Sequence, residues 1–102
     1  MRIREVIWLK QFSEKIERKH QVYEEEVEEV FRKQPPVRWI GRGDVKGEDL
    51  YETIGQSDDG RYLTVFFIYK GKSQGLVISA RDANSREMGS YGKRKKQANE
   101  SA

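Results

Sequence analysis

The chain has no cysteine, which excludes disulfide bonds, thiolate metal sites and thiol nucleophiles and leaves packing to hold the fold together. Histidine occurs once and proline twice, so a paired-histidine metal motif is ruled out and fixed breaks are few. Long apolar runs are missing as well. No stretch approaches the ~20 apolar residues of a membrane helix. Met1 to Lys10 alternates charged with apolar residues and lacks the apolar run of a signal peptide. The expectation is a cytosolic protein without a membrane partner. The sequence contains no Walker loop, dinucleotide-binding fingerprint or internal repeat, and Gly41-Arg-Gly43 is a lone glycine pair that reads as a flexible connection. No cofactor and no metal are expected.

What is abundant is charge. Charged side chains make up 36% of the 102 residues, against about 25% in an average domain, so a thin core lies under a heavily charged surface. At this length one core fits and two do not. The net charge is only +3, and its distribution says more. Residues 1–34 hold eight basic and eight acidic side chains and residues 35–80 six of each, whereas residues 81–102 hold six basic and three acidic. The cationic excess therefore sits at the C-terminal end, where Arg81, Arg86, Lys93, Arg94, Lys95 and Lys96 would attract phosphate. The alternative for this stretch is a solvated tail.

Ile3, Val6, Ile7 and Trp8 predict a short first strand. Ser13 reads as the N-cap of a helix to about His20, with Glu14 in its first turn and Phe12 and Ile16 facing the core. Tyr23, Val27, Val30 and Phe31 recur at i, i+4, i+7 and i+8 and mark the apolar stripe of a second helix. Its remaining positions are Glu24, Glu25, Glu26, Glu28 and Glu29, which point around the cylinder and cannot converge on one cation. They are expected to form a solvated or partner-facing surface. Pro35-Pro36 ends that helix.

The period then changes. Val37 to Ile40, Leu50 to Ile54, Tyr62 to Tyr69 and Leu76 to Ala80 read as the strands of an antiparallel meander. Ser57-Asp58-Asp59-Gly60 supplies a hairpin turn, and Lys70 to Gln74 a second, longer one. Both alternating sets of the strand Arg61 to Tyr69 are largely apolar, which suits a central strand covered on both faces. Asn84-Ser-Arg-Glu87 has the pattern of a capping box opening a last helix with Met88 and Tyr91, weakened by Gly89 and Gly92. The expected fold class is α+β: an antiparallel sheet of about four to five strands with two N-terminal helices and a short C-terminal helix. Residues 1–96 form the single domain, and residues 97–102 a disordered tail.

These elements carry an ordered set of short signatures: Trp8, then Lys19-His20-x-Val22, Glu25-Glu26-Val27-x-x-Val30-Phe31, Ile54-Gly55, Gly60-Arg61-Tyr62-Leu63-x-Val65, Ile78-Ser79-Ala80-Arg81-x-Ala83, Glu87 and Tyr91. In this order and spacing, over roughly residues 6–95, the chain resembles the BrnT family of toxin-antitoxin ribonucleases. The resemblance implies a RelE-like sheet with helices packed on one side and a metal-independent endoribonuclease acting on RNA. It also implies neutralisation by a DNA-binding antitoxin of ribbon-helix-helix type. The family usually follows its tryptophan with an aspartate and places a lysine and an asparagine along the first helix, where this chain has Leu9, Phe12 and Ile16.

Cleaving RNA without a metal requires the ribose 2′-hydroxyl as nucleophile, a base to take its proton, cations to hold the charged phosphorane and a donor for the leaving oxygen. Histidine is the side-chain type suited to proton transfer around neutrality, which makes His20 the candidate; otherwise it caps a helix C-terminus. Arg81, placed by alternation on the face of Val77 and Ser79, offers a planar fork for phosphate, or else a salt bridge to Asp82 or Glu87. Arg61 is a second clamp, or a stem covering apolar surface. Glu87 and Tyr91 complete the catalytic set, their alternatives being a capping-box partner and a core aromatic with its hydroxyl at the rim. Lys19, Arg86, Lys93, Arg94 and Lys95 are the expected RNA contacts. A non-catalytic RNA- or protein-binding module with the same fold is the second functional reading, and a homo-oligomer built through the acidic helix the third.

Overall fold

The computed structural model describes the backbone of residues 1–101 and the side chains of residues 1–93. Its elements run β1 (Glu5–Ile7), α1 (Lys10–His20), α2 (Glu24–Arg32), β2 (Val37–Arg42), β3 (Asp49–Gln56), β4 (Tyr62–Gly71), β5 (Gln74–Asp82) and α3 (Ser85–Ser101). The five strands form one sheet in the order β1-β5-β4-β3-β2. The meander from β2 to β5 is antiparallel throughout, and β4 lies at its centre as its two apolar faces predict. β1 departs from the expected antiparallel sheet. It pairs in parallel with β5, with Glu5 opposite Gln74 and Ile7 opposite Leu76, because the chain traverses two helices and the whole meander before it returns to β1. The sheet is therefore mixed.

One face of the sheet carries the core. Leu63, Val65 and Phe67 of β4 alternate inward and are fully buried against Ile16 of α1, Val22 of the connection, and Val27, Val30 and Phe31 of α2. Phe31 meets Phe67 edge-on at 5.2 Å between ring centroids, and Tyr51 stacks on Phe67 at 5.9 Å. Each such large apolar side chain contributes about 1.5–3 kcal/mol on burial. The stripe read from α2 is thus the core stripe, and α1 joins it through Ile16 alone among its fully buried residues.

The helix starts differ from expectation in an informative way. α1 begins three residues before Ser13, with Leu9 in extended conformation at its N-cap and its carbonyl accepting from the Phe12 and Ser13 amides. Ser13 is released from capping and donates its hydroxyl to Glu24 at 2.5 Å, tying α1 to the start of α2. Gln21 closes α1 in the left-handed region (φ 53°) and donates its amide to the Glu17 carbonyl. That αL cap turns the chain directly into α2. Glu26 then reaches back to the Tyr23 amide at 3.1 Å, and three glutamates sit in the first turn, where the macrodipole favours them.

The turn after Ser57 is as read: Gly60 takes φ 86° and its amide donates to the Ser57 carbonyl. The β4–β5 turn is tighter than expected. Gly71 faces Gln74 across it, so Lys72 and Ser73 are its central pair, both at positive φ (52° and 61°). This is the geometry that matches strand twist, and it is usually signalled by Asn or Gly. Neither Lys72 nor Ser73 gives that signal. The Tyr69 hydroxyl accepts from the Ser73 amide, and the Ser73 carbonyl receives the amides of Arg4 and Glu5, so the turn also docks β1.

α3 occupies the opposite face of the sheet, correcting the expectation of helices on one side. Tyr62, which alternates with the buried Leu63, meets Tyr91 of α3 edge-on at 5.8 Å. Asn84 and Glu87 exchange both bonds of the predicted capping box at 2.8 and 3.0 Å. The tail expected over residues 97–102 falls on residues whose side chains lie outside the described set. Among the described residues no helix is long and apolar enough to cross a membrane.

Gly55 shows how closely α2 approaches β3. A Cβ built there would lie 2.8 Å from Val30 Cγ1 and 3.4 Å from a ring carbon of Pro35. Gly55→Ala is therefore expected to push α2 off the sheet and cost about 1–3 kcal/mol. A urea midpoint lowered with unchanged slope would check it.

Candidate functional site

A bulge in β5 decides which way its polar residues point. Phe66 faces Ser79 and Phe67 faces Val77, so Ile78 is the extra residue. Beyond it Ser79 leaves the face of Val77, and Ala80 returns to the core with Val77. Arg81, opposite Thr64, follows Ser79 onto the α3 face, while Asp82, opposite Leu63, lies on the α1–α2 face. The simple alternation placing Arg81 with Val77 misses this bulge.

On the α1–α2 side the centre is Arg61. Its Nε and Nη2 donate to Asp82 at 2.6 and 3.2 Å, its Nη1 to Glu26 at 3.0 Å and to the Gln21 carbonyl at 2.8 Å, and its Nη2 to the His20 carbonyl at 3.1 Å. A guanidinium has five donors, and all of them are engaged inside the protein. These bonds raise the Arg61 pKa, Asp82 contributing most, and the same pair holds the Asp82 carboxyl below its ordinary value. His20, the last residue of α1, is half-buried, and its ring lies close enough to Asp82 to be felt by that carboxylate. Lys19 beside it is exposed.

On the α3 side the centre is Arg81. Its two terminal nitrogens grip the two oxygens of Glu87 at 2.7 and 2.9 Å, and its guanidinium lies over the Phe66 ring at 5.7 Å. Arg81 holds the Glu87 carboxyl down to about 2, and the Asn84 amide and the nearby Thr64 hydroxyl act in the same direction. Thr64 Oγ1 is itself buried with no partner at ordinary hydrogen-bond distance among the described residues. Its effect on Glu87 is that of a close dipole.

Glu52 also acts on Arg81. It is buried (4% exposed) and accepts from Arg38 at 3.0 Å. The sequence reading passed over Glu52, although a lone carboxylate among Leu50, Tyr51, Thr53 and Ile54 was a signal available there. Arg38, Glu52, Ile54, Asn84, Arg86 and Glu87 line a groove of about 380 Å³ between β2, β3 and α3.

The structure thus divides the expected catalytic residues. Arg81, Glu87 and Tyr91 are on the α3 face, whereas His20 and Arg61 are on the other, with the backbone at the end of β5 between them. Of the expected RNA contacts, Arg86 lines the groove and Lys93 is exposed; the side chains of Arg94 and Lys95 lie outside the described residues. A groove of about 620 Å³ lies elsewhere, between β1 and α2, and is lined by Arg2, Arg4 and Arg32 with Glu28. None of the expected site residues with described side chains lines it.

The glutamates of α2 are also placed differently from a solvated face. Glu24 holds Ser13, Glu26 holds Arg61, Glu28 accepts from the Trp8 indole at 3.1 Å and Glu29 accepts from the Asp58 amide at 2.9 Å. Four of the five serve internal contacts.

The Glu87 shift carries a pH prediction. Its folded pKa is depressed from 4.5 to about 2, so the Arg81–Glu87 pair contributes stability that is complete above 4.5 and is lost as pH falls toward 2. The contribution is at most about 3 kcal/mol and is reduced by solvent, since Arg81 is one-third exposed. Thermal unfolding followed between pH 6 and pH 2 should lose part of its pH dependence in Glu87→Gln.

No curated protein sequence matches this chain. The crystal structure of the Brucella abortus ribonuclease toxin BrnT is similar at a TM-score of 0.56 and 19% identity, over 79% of this chain and 97% of that one, a likeness of fold. The family model described as the ribonuclease toxin BrnT of type II toxin-antitoxin systems matches residues 8–87. Those residues hold α1, α2, the meander, the Arg61 cluster and the Arg81–Glu87 pair, and on that match the chain belongs to the BrnT family of ribonuclease toxins.

Proposed function

We propose that this BrnT-family chain is a metal-independent endoribonuclease that cleaves RNA through attack of the ribose 2′-hydroxyl on the adjacent phosphorus. The hydroxyl proton passes to a base, the bond from phosphorus to the 5′ oxygen breaks, and the leaving oxygen takes up a proton. The observation that carries the reading is the two-pronged grip of Arg81 on Glu87 beside a groove that also holds Arg38 and Arg86. A fork already arranged to hold two carboxylate oxygens is arranged to hold two phosphate oxygens.

In this reading Arg81 clamps the phosphate and His20 moves a proton from the far side of the strand end. Glu87 and Tyr91 flank Arg81, and Arg61 fixes the His20 segment. Lys19, Arg86, Lys93, Arg94 and Lys95 draw in the RNA. Residues 1–96 act as one domain with residues 97–102 as a tail, the protein works in the cytoplasm, and its partner is a protein antitoxin of ribbon-helix-helix type. A non-catalytic RNA- or protein-binding module is the second reading. The observation in its favour is the separation of His20 from Arg81 by the sheet.

Incubating the purified protein with naked RNA in EDTA tests the class. Cleavage by the wild type, abolished in His20→Ala and Arg81→Ala, is expected; intact RNA at high protein concentration favours the binding module. Arg81→Lys separates clamp from ion pair, because lysine keeps the charge but not the parallel donors. A surface ion pair alone is worth within about 1 kcal/mol, whereas a donor aimed at the transition state is worth on the order of 100-fold in rate. A folded Arg81→Lys protein is expected to lose about 100-fold in cleavage while its unfolding midpoint moves little. Full activity in that variant would remove Arg81 from the site.

A further inference from the structure

We infer that the groove between β1 and α2 is a docking site for an extended acidic segment of a protein partner, which adds to the outer edge of β1 as a sixth strand. None of the residues proposed for catalysis lines this groove, so the inference and the ribonuclease reading stand or fall separately.

β1 is an edge strand, paired with β5 on one side only. The Glu5 amide donates to the carbonyl of Ser73, just before β5, and successive residues of a strand turn their backbone groups to opposite edges. The amide and carbonyl of Val6 therefore project from the outer edge, beside the groove that Val6 lines. An edge of this kind is a ready template for another strand. The other edge strand, β2, is interrupted by a bulge between Trp39 and Gly41, a feature that discourages pairing.

The groove measures about 620 Å³, within the range of small-ligand sites. Two bonds brace its walls. Gln34, just past α2, donates to the Ile3 carbonyl at 3.2 Å, and the Trp8 indole donates to Glu28 at 3.1 Å. Ile3 and Phe31 give it an apolar floor, and Arg2, Arg4 and Arg32 surround that floor with exposed cations. Among the described residues Arg2 and Arg4 have no ion-pair partner, and Arg32 reaches Asp58 only at 3.9 Å. The two carboxylates of the groove each hold a donor already: Glu5 accepts from Gln74 at 2.8 Å and Glu28 from Trp8.

Cations around a free strand edge select the occupant. A peptide strand with acidic side chains satisfies the Val6 backbone and the arginines together, the backbone giving affinity and the side chains specificity. RNA would meet the arginines, but its phosphates only accept, so the Val6 carbonyl would face them without a donor. A second copy of β1 would bring Arg2 and Arg4 toward like charges. The edge from Arg2 to Val6 accommodates about five residues at roughly 3.3 Å each.

The test is titration with a capped heptapeptide alternating glutamate and valine, followed by NMR and by exchange of the backbone amides. The wild type is expected to bind it, more weakly at high salt. The Val6 amide should become protected in the complex, while the Glu5 amide, already bonded to Ser73, changes little. Arg4→Glu and Arg32→Glu, both at exposed positions, should each weaken binding roughly tenfold, because reversal removes an attraction and adds a repulsion of similar size. The same peptide N-methylated at every amide keeps its charge, loses its strand donors and should not bind.

No binding by the wild type overturns the site. So does equal binding of the N-methylated peptide, or undiminished affinity in folded Arg4→Glu and Arg32→Glu. A uridine hexamer that displaces the peptide and protects the Val6 amide assigns the groove to RNA and overturns the peptide reading. A Val6 amide protected before any peptide is added, in a protein that sediments as a dimer, gives the edge to a second copy and does the same.

Discussion

Two helices that share one short connection have to be held at a fixed angle over a sheet, and the carbonyls at the end of the first helix have to find donors. Arg61 meets both needs with one side chain. It donates to the His20 and Gln21 carbonyls at the end of α1, to Glu26 in the first turn of α2 and to Asp82 at the end of β5. Three elements and the α1–α2 connection are thereby tied at one point. The cluster is only partly exposed, so removing the guanidinium would leave two carboxylates and two carbonyls competing for water in a confined space. The Arg61 position, just past the Ser57–Gly60 turn, is itself fixed by the bond from its amide to the Ser57 hydroxyl. Because every donor is spent internally, Arg61 has none left for a ligand, and what it does is position its neighbours, the His20 segment above all.

The end of β5 is where the two halves of the site meet. The Ile78 bulge rotates the strand so that Arg81 and Asp82 point to opposite faces, each into an ion pair with a different element: Glu87 of α3 and Arg61 at the start of β4. His20 and Arg81 can therefore serve one phosphate only if the RNA strand passes over the end of β5. An exposed terminus of a strand with cations on both sides is a shape that a flexible single strand can follow and a rigid duplex cannot.

The element order, the α2 stripe, the central β4 and the Asn84–Glu87 capping box were legible in the sequence because each depends on local periodicity or on a cap of fixed spacing. What was not legible depends on tertiary choices. Ser13 has ordinary N-cap chemistry, yet its hydroxyl found a better acceptor in Glu24. Lys72 and Ser73 adopt left-handed backbone without the residues that announce it. The glutamates of α2 look solvated by count, but four of them meet donors on other elements. Arg61 and Arg81 were both singled out as phosphate clamps, and only three-dimensional pairing separates them, since Arg61 has spent every donor whereas Arg81 is held chiefly by one carboxylate. Glu52 needed no structure to be noticed, but only the sheet shows it buried, bonded to Arg38 and acting on Arg81.

The Arg81–Glu87 pair also sets how a phosphate would enter. Glu87 occupies the fork that a phosphate would use, so binding must exchange one anion for another. The exchange keeps the cation paired, whereas an Arg81 with no carboxylate beside it would leave a part-buried charge over Phe66 unpaired in the empty protein. Displacement has a second consequence for Glu87. The Arg81 hydrogen bonds are the largest cause of its depressed pKa, and once they pass to phosphate its affinity for a proton rises toward that of an ordinary carboxylate. Glu87 still keeps its capping contact with the Asn84 amide, which holds it at the mouth of the groove. On the proposed reading, a carboxylate held far down in the free protein would become a better base when a phosphate took the Arg81 fork.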